Sequence, residues 1–179
     1  MGGSLTSDEV VPYLLKYPEL TTFIETGTFK GFTTRMAATQ FEHVYTFELH
    51  PVLHKEAVSL AENHNFDTSG YLLGDSTILL KDLLISGVGP SFLYIDSHQS
   101  GPDTTNNGIE HVPLITELKI INELYSKGQK AVVCVDDYRL FGRYLDWAHI
   151  STQKIKDVFT NHIITHECVE NDRYWLVLN

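Results

Sequence analysis

Carboxylates recur in this chain at the ends of short apolar runs. Glu25 closes Thr22-Phe23-Ile24, Glu48 stands near the end of a run that begins at His43, and Asp75 follows Tyr71-Leu72-Leu73-Gly74. Asp96 closes Ser91 to Ile95, and the pair Asp136-Asp137 closes Ala131 to Val135. Acids so placed can do two kinds of work. A carboxylate accepts hydrogen bonds from paired hydroxyls such as those of a ribose, and several hard oxygen ligands together suit a divalent cation, magnesium or manganese. Imidazoles accompany them, His98 in Asp96-Ser97-His98 and His111 further on. A histidine titrates near neutrality and can take a proton from a hydroxyl whose pKa a bound cation has lowered. Together these residue types suit a nucleoside-type site with a divalent cation beside it.

The elements that would position them can be read in order. The stretch Thr22 to Gly31, with Gly27 and Gly31 in E-x-G-x-x-x-G spacing, reads as a strand, a ligand-binding loop and the entry to a helix over Thr33 to Phe41. Before it, Ser7 is expected to cap a helix running to Lys16, with Asp8 and Glu9 in its first turn. After it come a strand over His43 to Leu49, a helix from Pro51 to Asn65 and a strand over Gly70 to Asp75. Ser76 is expected to cap a helix through Ser86, followed by a strand over Ser91 to Asp96. Ser97 to His111 has neither strand nor helix period and is expected to be a lid or acceptor loop. A helix over Val112 to Tyr125, a strand over Ala131 to Asp137 and a helix over Ser151 to Asn161 follow. Ile163 to Val169 and Tyr174 to Leu178, joined by Glu170-Asn171-Asp172-Arg173, read as an antiparallel hairpin. Alternating strands and helices imply right-handed crossovers and a parallel sheet, so the acidic strand ends fall along one edge.

Composition narrows the function. The 179 residues suit a single domain, 1–179, with residues 1–20 as an N-terminal helix or extension. A formal net charge of -10, with the 13 Lys and Arg scattered, argues against nucleic acid as a partner. The two cysteines, Cys134 and Cys168, lie in apolar runs and give no disulfide or zinc framework. No stretch approaches the roughly 18 apolar residues of a membrane span. A cytoplasmic protein without a membrane partner is expected, with homo-oligomers left open.

The loop around Gly27 and Gly31 resembles motif I of class I S-adenosylmethionine (SAM) dependent methyltransferases, and the terminal hairpin matches that family's sheet. The resemblance spans about Thr22 to Leu178 and implies an α/β Rossmann-like fold, a mostly parallel seven-stranded sheet in the order 3-2-1-4-5-7-6 with a C-terminal antiparallel hairpin. It implies that Glu25, Thr26, Gly27, Thr28, Lys30 and Gly31 surround the methionine end of SAM, that Glu48 binds the ribose, and that Asp75 with Ser76 meets the adenine. Asp96-Ser97-His98 and Asp136-Asp137-Tyr138 resemble the acidic regions of metal-dependent sugar O-methyltransferases of the macrolide and aminocoumarin type. That likeness implies a cation on Asp96, Asp136 and Asp137, with His98 as base and His111 in reserve. The stretches S-G-P-D-T-T, P-L-I-T-E-L and V-D-D-Y-R-L-F-G also resemble small glycan-associated microbial and viral proteins, which points to a sugar or glycan acceptor. A catechol-like acceptor, a non-catalytic binding module and a nicotinamide oxidoreductase are the alternatives.

Overall fold

The structure, a computed structural model, describes residues 3–98, 111–144 and 146–179. Most of the expected lid, residues 99–110, lies outside the described residues.

Seven strands form one sheet: β1 (Thr22–Thr26), β2 (His43–Glu48), β3 (Tyr71–Leu73), β4 (Ser91–Ile95), β5 (Ala131–Val135), β6 (Ile164–Glu170) and β7 (Arg173–Leu178). Their order is β3-β2-β1-β4-β5-β7-β6, as expected. β1 to β5 pair in parallel, whereas β7 runs antiparallel to both β5 and β6. The helices are α1 (Ser7–Lys16), α2 (Phe32–Ala37), α3 (Pro51–Asn63), α4 (Ser76–Ser86), α5 (Leu114–Leu124) and α6 (Thr152–Val158).

Every residue of β1, β4, β5 and β7 is buried, as strands covered on both faces must be. The period of two divides them between two cores. Ile24, Leu93, Val133 and Leu176 pack with Leu80 of α4, Leu118 and Ile121 of α5 and Ile155 of α6. On the opposite face Phe23, Phe92, Val132 and Trp175 pack with Val10 of α1 and Ala37 of α2. Phe92 is the hub of that second core, with ring centroids 5.7 Å from Phe23, 5.9 Å from Phe41, 6.0 Å from Trp175 and 6.2 Å from Tyr13. Both cysteines are free thiols, and no helix among the described residues is long and apolar enough to cross a membrane.

Several helix ends depart from the expected ones. Thr6, not Ser7, caps α1: the Glu9 carboxylate accepts from both its N–H (2.9 Å) and its hydroxyl (2.8 Å). α2 stops at Ala37, short of Phe41, and the Thr39 hydroxyl donates to the Met36 carbonyl there. Phe41 is thereby freed to enter the core. α5 begins at Leu114 with Pro113 as its cap, and α6 covers only Thr152–Val158 behind a Ser151 cap. Asp75, not Ser76, caps α4, accepting from Thr77 N–H at 2.8 Å. This last shift matters at the site, because it releases the Ser76 hydroxyl.

Phe92→Ala is expected to lower the unfolding free energy in urea by about 3–5 kcal/mol, since an aromatic core is emptied. Phe92→Leu should cost clearly less, and equal losses from the two variants would contradict the packing described.

Candidate functional site

The C-terminal ends of β1 to β5 lie along one edge, and the loop after β1 begins there. Gly27 and Thr28 donate their N–H groups to the Phe47 carbonyl at 3.0 and 3.1 Å, which folds the loop across the end of β2. Gly27 has φ +90, and a Cβ on it would stand 2.5 Å from the Asp96 carbonyl oxygen, so only glycine lets the loop and the end of β4 approach. Gly31, at φ +66, opens α2. Lys30 lies outside this framework, its ammonium 5.4 Å from the Phe29 ring centroid.

The first two acids divide their labour. Glu25 is 1% exposed and supports the loop from below. Its Oε2 accepts from the hydroxyls of Thr34 (2.5 Å) and Thr46 (2.7 Å), and Thr46 in turn meets the Thr28 hydroxyl at 2.6 Å. Burial pushes its pKa up to about 7 against the pull of the two threonines. Glu48 stands at the loop itself, with Oε2 accepting from Phe29 N–H at 2.7 Å and Oε1 from His50 N–H at 2.8 Å.

A residue without an assigned role in the sequence joins the next two tips. Glu117 of α5 is 0% exposed. Its Oε1 accepts from Ser76 at 2.5 Å and from the Ser97 hydroxyl, and Thr26 donates to its Oε2 at 3.4 Å. Burial raises its pKa to about 7, against the three hydroxyls. The signal for it was present: a carboxylate on the apolar face of a helix, between Ile115 and Ile121, needs buried donors. Ser76 reaches Glu117 because Asp75 has taken the capping position.

Beyond it the acids of β4 and β5 meet. His98 Nε2 lies 2.9 Å from Asp137 Oδ2, and Nδ1 lies 3.5 Å from Asp96 Oδ1. Ligand atoms of Asp96, His98 and Asp137 all fall within 4.8 Å of one another, the one such group among the described residues. Asp136, expected in this group, is instead turned to Tyr94, whose hydroxyl donates to Oδ2 at 2.7 Å, and to Arg173, whose Nε is 3.2 Å from Oδ1. His98 stands where Asp136 was expected. Trp147 fixes its ring plane, edge to face with centroids 5.2 Å apart. Burial, then the charges of Asp136, Asp137 and Glu25, hold the Asp96 carboxyl well above the usual range. Burial also raises Asp137, but hydrogen bonding and charge from His98 and Arg139 outweigh it, and its carboxyl is held low. His111 is among the described residues, and the structure does not bring it into this group.

The raised carboxyls of Glu25 and Glu117 give a signed pH dependence. Each moves from an ordinary 4.5 to about 7, so the folded chain keeps a proton that the unfolded chain releases. Their contribution is complete below pH 4.5 and is lost as pH rises to about 7. It amounts to roughly 3 kcal/mol per group at most. In urea unfolding between pH 5 and 8, Glu25→Gln and Glu117→Gln should each flatten the decline relative to wild type, and an unchanged slope would refute the assignment.

No protein-family model and no curated protein matches the sequence. Solved structures match its fold across nearly the whole chain. The O-methyltransferase TomG from Streptomyces achromogenes, involved in tomaymycin synthesis and solved with SAM, aligns with a TM-score of 0.64 and 17% identity, covering 98% of this chain and 81% of that one. The O-methyltransferase from Bacillus cereus, in complex with SAH, gives 0.62 and 15%, covering 98% and 82%. A SAM-dependent methyltransferase from Clostridium acetobutylicum gives 0.65 and 10%, covering 97% and 89%. The chain has the seven-stranded α/β Rossmann-like fold of the SAM-dependent methyltransferases.

Proposed function

We propose that this protein is a SAM-dependent O-methyltransferase acting on a hydroxyl of a sugar or glycan, with a divalent cation, magnesium or manganese, at Asp96, His98 and Asp137. The observation that carries the reading is the convergence on one sheet edge of a glycine-bearing loop braced by Glu25 and Glu48 and a separate group of ligand atoms within 4.8 Å of one another. The SAM and SAH in the complexes of the structural neighbours are consistent with it.

The residues present fit a nucleoside donor. Glu48 spends one hydrogen bond per oxygen on Phe29 and His50, and a carboxylate has capacity for about four, which leaves room for ribose hydroxyls. Thr26 to Gly31 would line the methionine end, and Asp75 with Ser76 the adenine. When bound, the donor supplies a methyl on a sulfonium whose C–S bond breaks as the acceptor's C–O bond forms. The chain's part is therefore mainly placement.

The ligand atoms of Asp96, His98 and Asp137 also fit a cation, being two carboxylates and an imidazole within reach of a common point. A cation there would supply charge that favours the ionised hydroxyl, whose proton would leave to solvent because His98, expected as the base, is in this reading a ligand. Arg173 and Tyr94 hold Asp136 away, so the group keeps two carboxylates rather than three. Tyr138 and Phe141, centroids 5.2 Å apart, follow Asp137 and would form the acceptor wall. A second reading rests on the 2.9 Å contact of His98 Nε2 with Asp137: without a cation, Asp137 orients the imidazole and Nδ1 takes the hydroxyl proton.

Labelled methyl transfer from SAM to a panel of deoxysugar and pentose glycans, with catechol as counter-substrate, tests the proposal. Glycan should be labelled and catechol not, activity should vanish with chelator, and magnesium or manganese should restore it. Asp137→Ala should lower kcat/KM by about 100-fold or more. Chelator-resistant activity that His98→Ala abolishes selects the second reading. Absence of heat on titrating SAM, with or without magnesium, overturns the enzyme reading.

A further inference from the structure

Glu117 takes no direct part in the chemistry just described, yet it touches both halves of the site. Its three hydroxyl partners come from different elements: Thr26 ends β1 below the donor loop, Ser76 opens α4 beside the expected adenine wall, and Ser97 separates Asp96 from His98. The main chain of Asp96 is gripped on both sides by this set. Asp96 N–H donates to Thr26 Oγ1 at 3.2 Å, and the next residue, Ser97, donates to Glu117. Ser76 and Ser97 also lie within 3.4 Å of each other through their hydroxyls. One buried carboxyl therefore sets the position of Ser76 on the donor side and of the segment Asp96-Ser97-His98 on the cation side.

We propose that Glu117 is a positioning residue that couples the donor pocket to the cation group, so that occupation of either tightens the other. The inference rests on the functional reading above and adds to it a linkage between its two ligands. Ser76 and Ser97 share the one oxygen Oε1 of Glu117, so a ligand that holds either hydroxyl in place holds that oxygen, and through it the other hydroxyl, for the second ligand. Linkage makes the effect reciprocal, with couplings of this kind typically about 5- to 150-fold in affinity.

Calorimetric titration of the full chain with SAH, with and without magnesium, and with magnesium, with and without SAH, measures the coupling without turnover. SAH lacks the sulfonium charge, which removes that source of direct repulsion between the ligands, and pH 8 lies above the value of about 7 to which burial raises Glu117. Wild type should bind SAH at least about fivefold more tightly with magnesium, with the same factor in the reciprocal titration. Glu117→Gln keeps the side chain's shape but gives up one acceptor oxygen, and should bring that factor to about one while thermal melting stays cooperative. Glu117→Asp, which restores the charge on a shorter arm, should recover part of it. Full coupling retained in Glu117→Gln overturns the proposal, as does a wild type that binds both ligands independently. A wild type that binds no SAH at all overturns instead the functional reading beneath it.

Discussion

Like charges withdrawn from water repel, and this fold gathers carboxylates from separate stretches of chain along one edge of a sheet. The structure answers each with donors suited to its depth. Glu25 and Glu117, the deepest, are held by threonine and serine hydroxyls, Glu48 by backbone N–H groups, and Asp75 by the first turn of α4. Asp136 is given Tyr94 and Arg173, and Asp137 is given His98 and Arg139. Asp96 is left least satisfied: among the described residues its carboxylate faces only His98 Nδ1, at 3.5 Å. Burial, with like charges around it and no close cationic partner, holds its carboxyl well above the usual range.

The terminal hairpin is part of this arrangement. Because β7 runs antiparallel to β5, its first residues lie beside the last residues of β5, with Tyr174 opposite Val135. Arg173 thus arrives at the acidic edge, next to Asp136, whereas a parallel β7 would begin at the far end of the sheet. From there Arg173 also donates to Glu9 of α1 at 2.5 Å and to the Gly3 carbonyl, and its guanidinium lies 5.9 Å from the Tyr94 ring centroid. Breaking such a buried pair by removing one partner generally costs about 3–5 kcal/mol, because the other charge is stranded. The same arginine that neutralises Asp136 ties the N-terminal helix to the sheet.

What could be read from the sequence follows the range of the forces involved. Strand tips, helix order and the hairpin are written in periodicity and turn residues, whereas the strand order came from the family resemblance carried by the motif around Gly27 and the terminal hairpin. Helix ends were read less well: Thr6 rather than Ser7 caps α1 because only Thr6 has a glutamate, Glu9, three residues on to complete a capping box, whereas Asp75 and Ser76 are adjacent and both able to cap. Asp75 caps the helix, and the Ser76 hydroxyl so released finds Glu117, a partner distant in the chain. Glu117 itself had no assigned role because its three partners come from Thr26, Ser76 and Ser97, far away in the chain. The place of Asp136 was hidden for a related reason: its partner Arg173 lies 37 residues on, so the expected grouping of Asp96 with both Asp136 and Asp137 gives way to one of Asp96, His98 and Asp137.

Backbone geometry gives that last point its physical form. Successive side chains of a strand point to opposite faces, so two adjacent acids at a strand tip cannot both serve one site by simple extension. Asp136 continues β5 and turns toward Tyr94 and Arg173. Asp137 leaves the strand in the left-handed region, at φ +58, a conformation that aspartate tolerates better than most residues. The turn is held from the hairpin: Tyr138 N–H donates to the Asp172 carbonyl at 2.8 Å, and Arg139 N–H to the Asp172 side chain at 2.7 Å. A single local reversal therefore assigns the two acids opposite duties, Asp136 to the arginine that anchors the N-terminal helix and Asp137 to the imidazole that faces Asp96.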